Sequence, residues 1–323
     1  MKTKLCDMLG ISRPVIQSPM TWITSAELAA AVCNAGGLGT LGPNAGQNTL
    51  TTSTVETGER LRREIQKLRR LTDKPFAVNL VLMGDDLDSQ DTFGGACLKV
   101  MVEEKVPVVI TAGFTPDKRL VDLLHSNGTL LFHREPNIDT RNAKIAEAAG
   151  IDALIAVGFD GGGHLSAYGI PTFTLIPLIA DAVSIPVIAG GGIMDGRGVK
   201  AALNLGAQGV YVGTRFIASV ECPAHPVCKQ AILDATDDAT AVLQDSLGLT
   251  VRVAKKAEQS LIELGHPGNA DATESEMLMN TGGIYEGMLL GDVHSGTLSF
   301  SIASAMIHEI KTVEEIMADL VGE

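Results

Sequence analysis

The sequence predicts a (β/α)8 TIM barrel carrying a mostly helical insertion after its eighth strand and a C-terminal closing helix. Three observations predict it. Short apolar runs alternate with amphipathic stretches eight times before residue 214. The runs lack strict apolar–polar alternation, as strands buried on both faces do. The 323 residues are long for an average domain but ordinary for a barrel with an insertion.

The first four strands are expected at 15–20 (VIQSPM), 37–42 (GLGTLG), 76–82 (FAVNLVL) and 106–112 (VPVVITA). The next four are expected at 129–134 (TLLFHR), 153–158 (ALIAVG), 186–190 (PVIAG) and 209–213 (GVYVG). Pro75, Pro107 and Pro186 stand where these runs begin, where a missing N–H does least harm. Amphipathic helices are expected at 25–35, 59–71, 117–126, 140–149 and 196–205. Thr24-Ser25-Ala26-Glu27 has capping-box spacing for the helix that follows the first strand. Gly36, Gly150 and Gly206 stand where helices want a left-handed C-cap. Residues 1–221 therefore form the barrel. Residues 222–295 carry no further strand pattern and read as a helical, lid-like insertion; 296–323 read as the closing helix.

Composition excludes several functions. The chain holds 25 Lys and Arg against 38 Asp and Glu, a net charge of −13. That balance disfavours an electrostatic footprint on nucleic acid, which needs a basic face. Five cysteines, an odd number without a CxxC pair, argue against a disulfide framework and fit a reducing compartment. Cys222 and Cys228 flank His225 in CPAHPVC, but the prolines and the lack of a fourth ligand favour a plain loop over a metal site. No run reaches the ~20 apolar residues of a membrane span, and the N-terminus has no signal-length apolar run. The expectation is a cytoplasmic protein.

The segment 186–216, PVIAGGGIMDGRGVKAALNLGAQGVYVGTRF, carries the strongest chemical signal. Its seventh strand ends in Gly190-Gly191-Gly192 and its eighth in Gly213-Thr214. A phosphate at this end of a barrel needs closely approaching backbone N–H groups, which a β-carbon obstructs. A helix N-terminus adds partial positive charge. After the sixth strand comes GFDGGGHLSAY, 158–168, placing His164 at the barrel mouth, where an imidazole can carry protons. The bland alternative is a loop histidine that only packs. Arg134 ends the fifth strand, where a fixed cation would support a reduced flavin; the alternative is an ion pair with Glu135. Asn79 interrupts an apolar strand and must find hydrogen-bond partners in a flavin or in the protein. Met20 closes the first strand, a soft side chain suited to flank a ring. GLGTLG matches G-x-G-x-x-G, yet its glycines lie within a strand and Pro43 follows, so no dinucleotide fold is assigned.

Taken together, PVIQSPMTW, KPFAVNLVL, GFDGGGH, the 186–216 segment and GTLSFSIASAMIHEIKTVEEIM resemble the nitronate monooxygenase family, formerly the 2-nitropropane dioxygenases. The resemblance covers most of the chain. It implies an FMN-binding barrel in which Met20 and Asn79 contact the flavin and Gly162 and Gly163 line it. Gly190, Gly191, Gly192, Gly213 and Thr214 would hold the phosphate, and His164 matches the catalytic histidine. Several relatives have Lys in place of Arg134 and Ala in place of Gly162. The implied reaction oxidises an alkyl nitronate or nitroalkane with FMN and O2 to a carbonyl compound and nitrite. The wider family also holds NADH:quinone reductases and flavin-dependent enoyl-ACP reductases, so an NAD(P)H-dependent reductase is the alternative. A flavin-binding protein without turnover is a third reading, disfavoured by a histidine beside the flavin. The sequence leaves a homo-oligomer open.

Overall fold

The computed structural model describes residues 2–82, 87–113, 115–244, 250–255 and 283–323. Within the expected insertion at 222–295, residues 245–249 and 256–282 lie outside the described residues. Eight parallel strands run β1 (Val15–Gln17), β2 (Thr40–Leu41), β3 (Ala77–Val81), β4 (Val108–Ala112), β5 (Leu130–Arg134), β6 (Ala153–Val157), β8 (Val187–Gly190) and β9 (Gly209–Val212). They pair in the order β1-β9-β8-β6-β5-β4-β3-β2. A parallel bridge between Ile16 and Leu38 joins β1 to β2 and closes the barrel. The expected barrel is present.

The barrel interior is a packed core. Ile16, Leu38, Ala77, Ile110, Phe132, Ile155, Ile188 and Tyr211 form one buried cluster. Leu5, Cys6 and Leu9 of α1 (Lys4–Leu9) join it from below. That helix was not legible beforehand. Thr3 caps it by accepting from the Cys6 N–H, and Gly10 ends it at φ 67°. Leu5 reaches so near Gly209 that a Cβ there would lie 2.4 Å from it.

The surrounding helices are α2 (Ala26–Asn34), α3 (Thr54–Leu71), α4 (Phe93–Glu103), α5 (Lys118–Ser126), α6 (Thr140–Ala149), α7 (Thr172–Ala180) and α8 (Gly196–Asn204). Gly36, Gly150 and Gly206 adopt the expected positive φ after α2, α6 and α8. The cap of α2 differs from expectation. Ser25, not Thr24, accepts from Leu28 N, and the Glu64 carboxylate accepts the Ala26 N–H at 2.6 Å. Thr24 is diverted: its hydroxyl accepts from Gly42 N and donates to the Met20 carbonyl. The second strand is also shorter than 37–42. Gly39 lies against α2 so closely that a Cβ would sit 2.1 Å from the Ala29 carbonyl oxygen. Close packing on α2 and ladder bonds at Leu38 and Gly39 together set that segment.

The region after β9 departs most from expectation. Helices α9 (Thr214–Ile217) and α10 (Pro226–Leu233) precede a hairpin of β10 (Thr240–Gln244) and β11 (Thr250–Ala254), where no strand was expected. In TVRVA, apolar Val251 and Val253 flank polar Arg252, the period-two residue pattern of a strand, and all three are buried. β11 pairs antiparallel with β7 (Gly163–His164), forming a second sheet. The C-terminal stretch is helical only in part: a 3-10 turn at Ile302–Met306 precedes α11 (Val313–Val321). α11 starts with a Thr312–Glu315 capping box and packs on α2 and α8.

Candidate functional site

Strand alternation selects what faces the barrel's C-terminal mouth. Ala77, Ile110, Phe132, Ile188 and Tyr211 belong to the interior cluster. Two residues further along the same strand faces come Asn79, Ala112, Arg134, Gly190 and Gly213. The expected Asn79, Arg134, Gly190 and Gly213 therefore share one layer at the strand C-termini. Met20 joins them: a Cβ on Gly213 would lie 3.8 Å from its sulfur and 3.5 Å from Ser18 Cβ.

The glycines here fall into two kinds. Gly191 has φ +98°, and a Cβ would meet the Gly158 carbonyl and the Thr172 hydroxyl at 2.8 Å. A Cβ on Gly162 would sit 2.4 Å from the Phe300 backbone. Gly162 thus turns its bare face to the C-terminal segment, and any contact with a ligand must come from its backbone. At Gly190 a Cβ would crowd Val157, and at Gly192 it would crowd Asp160, both at 3.0 Å. These glycines serve the protein's own packing. Gly213 does not: its φ is −112°, and no atom would come within 3.4 Å of a Cβ. Protein contacts therefore leave the space beside Gly213 open. Gly213 also precedes α9, whose start has no side-chain cap. Helix geometry leaves its first N–H groups without intrahelical acceptors. Thr214 is buried, and its hydroxyl accepts the Ser301 N–H at 3.0 Å. The Thr214 hydroxyl is thus already engaged by the C-terminal segment.

His164 is exposed, on β7, opposite Val251. Its backbone carbonyl accepts from Arg134 Nη2 at 2.5 Å. That contact replaces the ion pair with Glu135 considered from the sequence. Glu135 turns instead to His133 Nε2, 3.4 Å away, and accepts from Asn137 N. Burial pushes the Arg134 guanidinium below its ordinary value, opposed by Tyr211 and Glu135. It remains a cation at neutral pH. Asn79 donates one amide N–H to the Ile110 carbonyl at 2.8 Å, so part of its bonding is met within the protein.

Several residues of the site gave no sequence signal. Tyr211 lies one layer below Gly213, its phenol pushed up to about 12 by burial, against the hydrogen bond with Ser18 and the Arg134 charge. It is a neutral phenol at pH 7. Asp160 accepts the Thr172 N–H at 2.7 Å, and the Thr172 hydroxyl donates to the Gly191 carbonyl at 3.0 Å. These bonds tie the loop after β6 to the loop after β8. Ser301 donates to the Asp160 carbonyl at 2.6 Å. Arg252 donates to the carbonyls of Phe159 and Gly161. All of these depend on partners far along the chain, which no local pattern specifies.

Other sequence features have structural employment. His225 caps α10, its Nδ1 accepting from Val227 N, and the Cys222 thiol donates to the Ile23 carbonyl. Burial pushes Cys222 up to about 11 and Cys228 up to about 12. Among the described residues, no group of three or more His, Cys, Asp or Glu could hold a metal ion. Among them, too, no helix is long and apolar enough to cross a membrane. An open depression of about 400 Å³ lined by Arg69, Lys74, Phe76 and Pro107 lies at the strand N-termini, opposite the glycine loops.

A family model described as Nitronate monooxygenase matches residues 2–323. The chain belongs to the nitronate monooxygenase family. A nitronate monooxygenase of Paraburkholderia phytofirmans is 33% identical over 82% of this chain and 78% of its own length. A Mycobacterium tuberculosis protein is 35% identical over 82% of this chain and 69% of its own length. Its name is (3aS,4S,5R,7aS)-5-hydroxy-7a-methyl-1-oxo-octahydro-1H-indene-4-carboxyl-CoA dehydrogenase. Among solved structures, FabK from Thermotoga maritima superposes with a TM-score of 0.85 at 35% identity, covering 100% of this chain and 96% of its own. Nitroalkane oxidase from Streptomyces ansochromogenes gives 0.80 at 26% identity, covering 99% and 97%. Membership in this nitronate monooxygenase family makes the chain a flavin-dependent oxidoreductase on a TIM barrel.

Proposed function

We propose that the chain is an FMN-dependent nitronate monooxygenase that uses O2 to convert alkyl nitronates to carbonyl compounds and nitrite. The observation that carries this reading is Arg134. Its guanidinium stands in the inward layer with Asn79 and Gly213 and holds the backbone of His164. A cation, a proton carrier and an opening against bare backbone thus meet at one end of the barrel.

FMN, when bound, supplies the redox centre that accepts electrons from the substrate and passes them to oxygen. Backbone N–H groups at Gly190, Gly191, Gly192, Gly213 and Thr214 would hold its single phosphate. Gly213 fits that role because the protein leaves the space of its Cβ open. Met20 and Asn79 would flank the ring system, with Gly162 and Gly163 lining it through their backbone. Arg134 would stabilise negative charge on the reduced ring. His164 takes the α-proton of a neutral nitroalkane, or hydrogen-bonds the oxygens of a preformed nitronate.

The dehydrogenase likeness favours a second reading. A relative at 35% identity is named for a CoA-thioester substrate, which supports an NAD(P)H-dependent reductase of enoyl thioesters or quinones. Steady-state assays with propyl-nitronate, with NADH and a quinone, and with NADPH and an enoyl thioester separate the two. The proposal expects turnover of the nitronate without a nicotinamide. Rapid anaerobic bleaching of the flavin by NADH, with no nitronate turnover, would select the reductase. Mass spectrometry of the released chromophore should find FMN; finding FAD would sink the single-phosphate reading.

A further inference from the structure

We propose that Arg252 is a positioning residue that clamps the His164-bearing loop, so that the hairpin inserted after the barrel sets the geometry of proton transfer. The proposal rests on the reading of His164 as the proton-handling group.

Arg252 lies on β11, is 5% exposed, and its side-chain hydrogen bonds go to this loop and to its own hairpin among the contacts described. Its Nε donates to the Gly161 carbonyl at 2.9 Å and its Nη2 to the Phe159 carbonyl at 2.8 Å. Its Nη1 donates to the Thr240 hydroxyl at 3.0 Å, tying the fork to β10. The guanidinium also lies over the Phe159 ring, 5.5 Å from the centroid. Two strand pairs continue the grip, Arg252 opposite Gly163 and Val251 opposite His164. The Leu165 N–H donates to the Thr250 carbonyl at 2.8 Å. Ser299 in turn donates to the Arg252 carbonyl at 2.9 Å.

The chemistry explains why arginine stands here. The loop runs Gly158-Phe159-Asp160-Gly161-Gly162-Gly163, and four of its six residues are glycines without side chains to anchor it. Its conformation is therefore fixed largely by what binds its carbonyls, with the Asp160 carboxylate on the Thr172 N–H as a further anchor. A planar fork with several N–H donors reaches two carbonyls and a hydroxyl together, which one ammonium cannot match. On its other side the loop has Arg134 on the His164 carbonyl. His164 is held between two arginines, one from the barrel and one from the hairpin. A displacement of about 1 Å in a catalytic group can cost about 10²-fold in rate.

The test is Arg252→Ala with added guanidinium ion, alongside Arg252→Lys. Three quantities are read: hydrogen exchange of peptides covering 159–165, steady-state kinetics with a neutral nitroalkane, and flavin content. Arg252→Ala is expected to exchange faster in 159–165 than elsewhere and to lose about 100-fold in kcat. KM should change little, and flavin content should fall far less than kcat, because the proposed phosphate cradle lies on β8 and β9 while only Gly162 and Gly163 of the loop line the flavin. Guanidinium should restore part of both the protection and the rate, and Arg252→Lys should fall between. Wild-type exchange in 159–165 would overturn the proposal, as would a loss that follows global unfolding and is not rescued. If Arg252→Ala does not fold, Arg252→Lys decides by the same exchange measurement: selective loosening of 159–165 supports the clamp and unchanged exchange overturns it. A wild-type protein inactive with nitroalkane and nitronate sinks the proposed function, while the exchange result still decides the clamp.

Discussion

The two sides of the barrel mouth are built differently. The proposed cradle at the ends of β8 and β9 comes from residues that follow directly on barrel strands, and parallel pairing fixes them: Gly190 opposite Tyr211, Val157 opposite Gly190. The His164 arm is held from a distance. Arg134 reaches it across 30 residues, Arg252 across 91 to Gly161, and Ser301 across 141 to Asp160. Local backbone geometry makes the cradle; long-range side chains make the arm. Binding and proton transfer should accordingly be separable by mutation.

The largest expected effect breaks both sides at once. Gly191 has a positive φ and abuts Gly158 and Thr172, the junction of cradle and arm. Gly191→Val should cost roughly 2–6 kcal/mol from backbone strain and overpacking together. Denaturant unfolding of the flavin-free protein checks it, and an unchanged midpoint would show that the junction yields easily. This substitution therefore cannot isolate phosphate binding. Gly213→Ala can. A Cβ there makes only ordinary contacts with Ser18 and Met20. Stability without flavin should move by less than ~1 kcal/mol, while FMN affinity should fall about tenfold, ~1.4 kcal/mol. Fluorescence titration with FMN measures it, and full affinity would remove Gly213 from the cradle.

The positions of the glycines at the strand ends were legible because their signal is local. Glycine at 190–192 and at 213 closes an apolar strand in each case, which can be read from the strand ends whatever lies elsewhere. The C-caps at Gly36, Gly150 and Gly206 were legible for the same reason. The arm was legible only as far as His164 and Arg134 themselves. Nothing in TVRVA indicates that Arg252 will lie across the glycine loop, because its partners are set by hairpin docking. The unexpected strands have the same origin: β7 is two residues long and exists only because β11 lies beside it. Thr24 and Glu27 show the converse, a good local capping pattern overridden when Thr24 bonds to Met20 and Gly42 and Glu27 pairs with Lys67.

A smaller effect per group asks whether barrel and insertion stand or fall together. Burial pushes Cys33 in α2 up to about 12, Cys222 up to about 11 and Cys228 up to about 12. The folded protein keeps these thiols protonated at pH values where the unfolded chain releases the protons. Their contribution is fully present below the ordinary thiol range and is lost as pH rises from about 9 towards 11–12. Each thiol should lower stability by roughly 1.4 kcal/mol per pH unit across that window. Chemical denaturation at a series of alkaline pH values should show one transition moving steadily. Two transitions would mean that the barrel and the segment bearing Cys222 and Cys228 unfold separately.

The division between binding and proton transfer is tested most directly at His164. His164→Ala removes the imidazole but keeps the backbone carbonyl that Arg134 holds. FMN content should stay near wild type. The rate with a neutral nitroalkane should fall by about 10²–10⁴-fold, the usual value of general-base assistance. The rate with a preformed nitronate, which has already lost its proton, should fall far less. Equal slowing of both substrates would contradict the account and leave His164 a positioning or charge-stabilising group; no slowing of either would leave it a bystander.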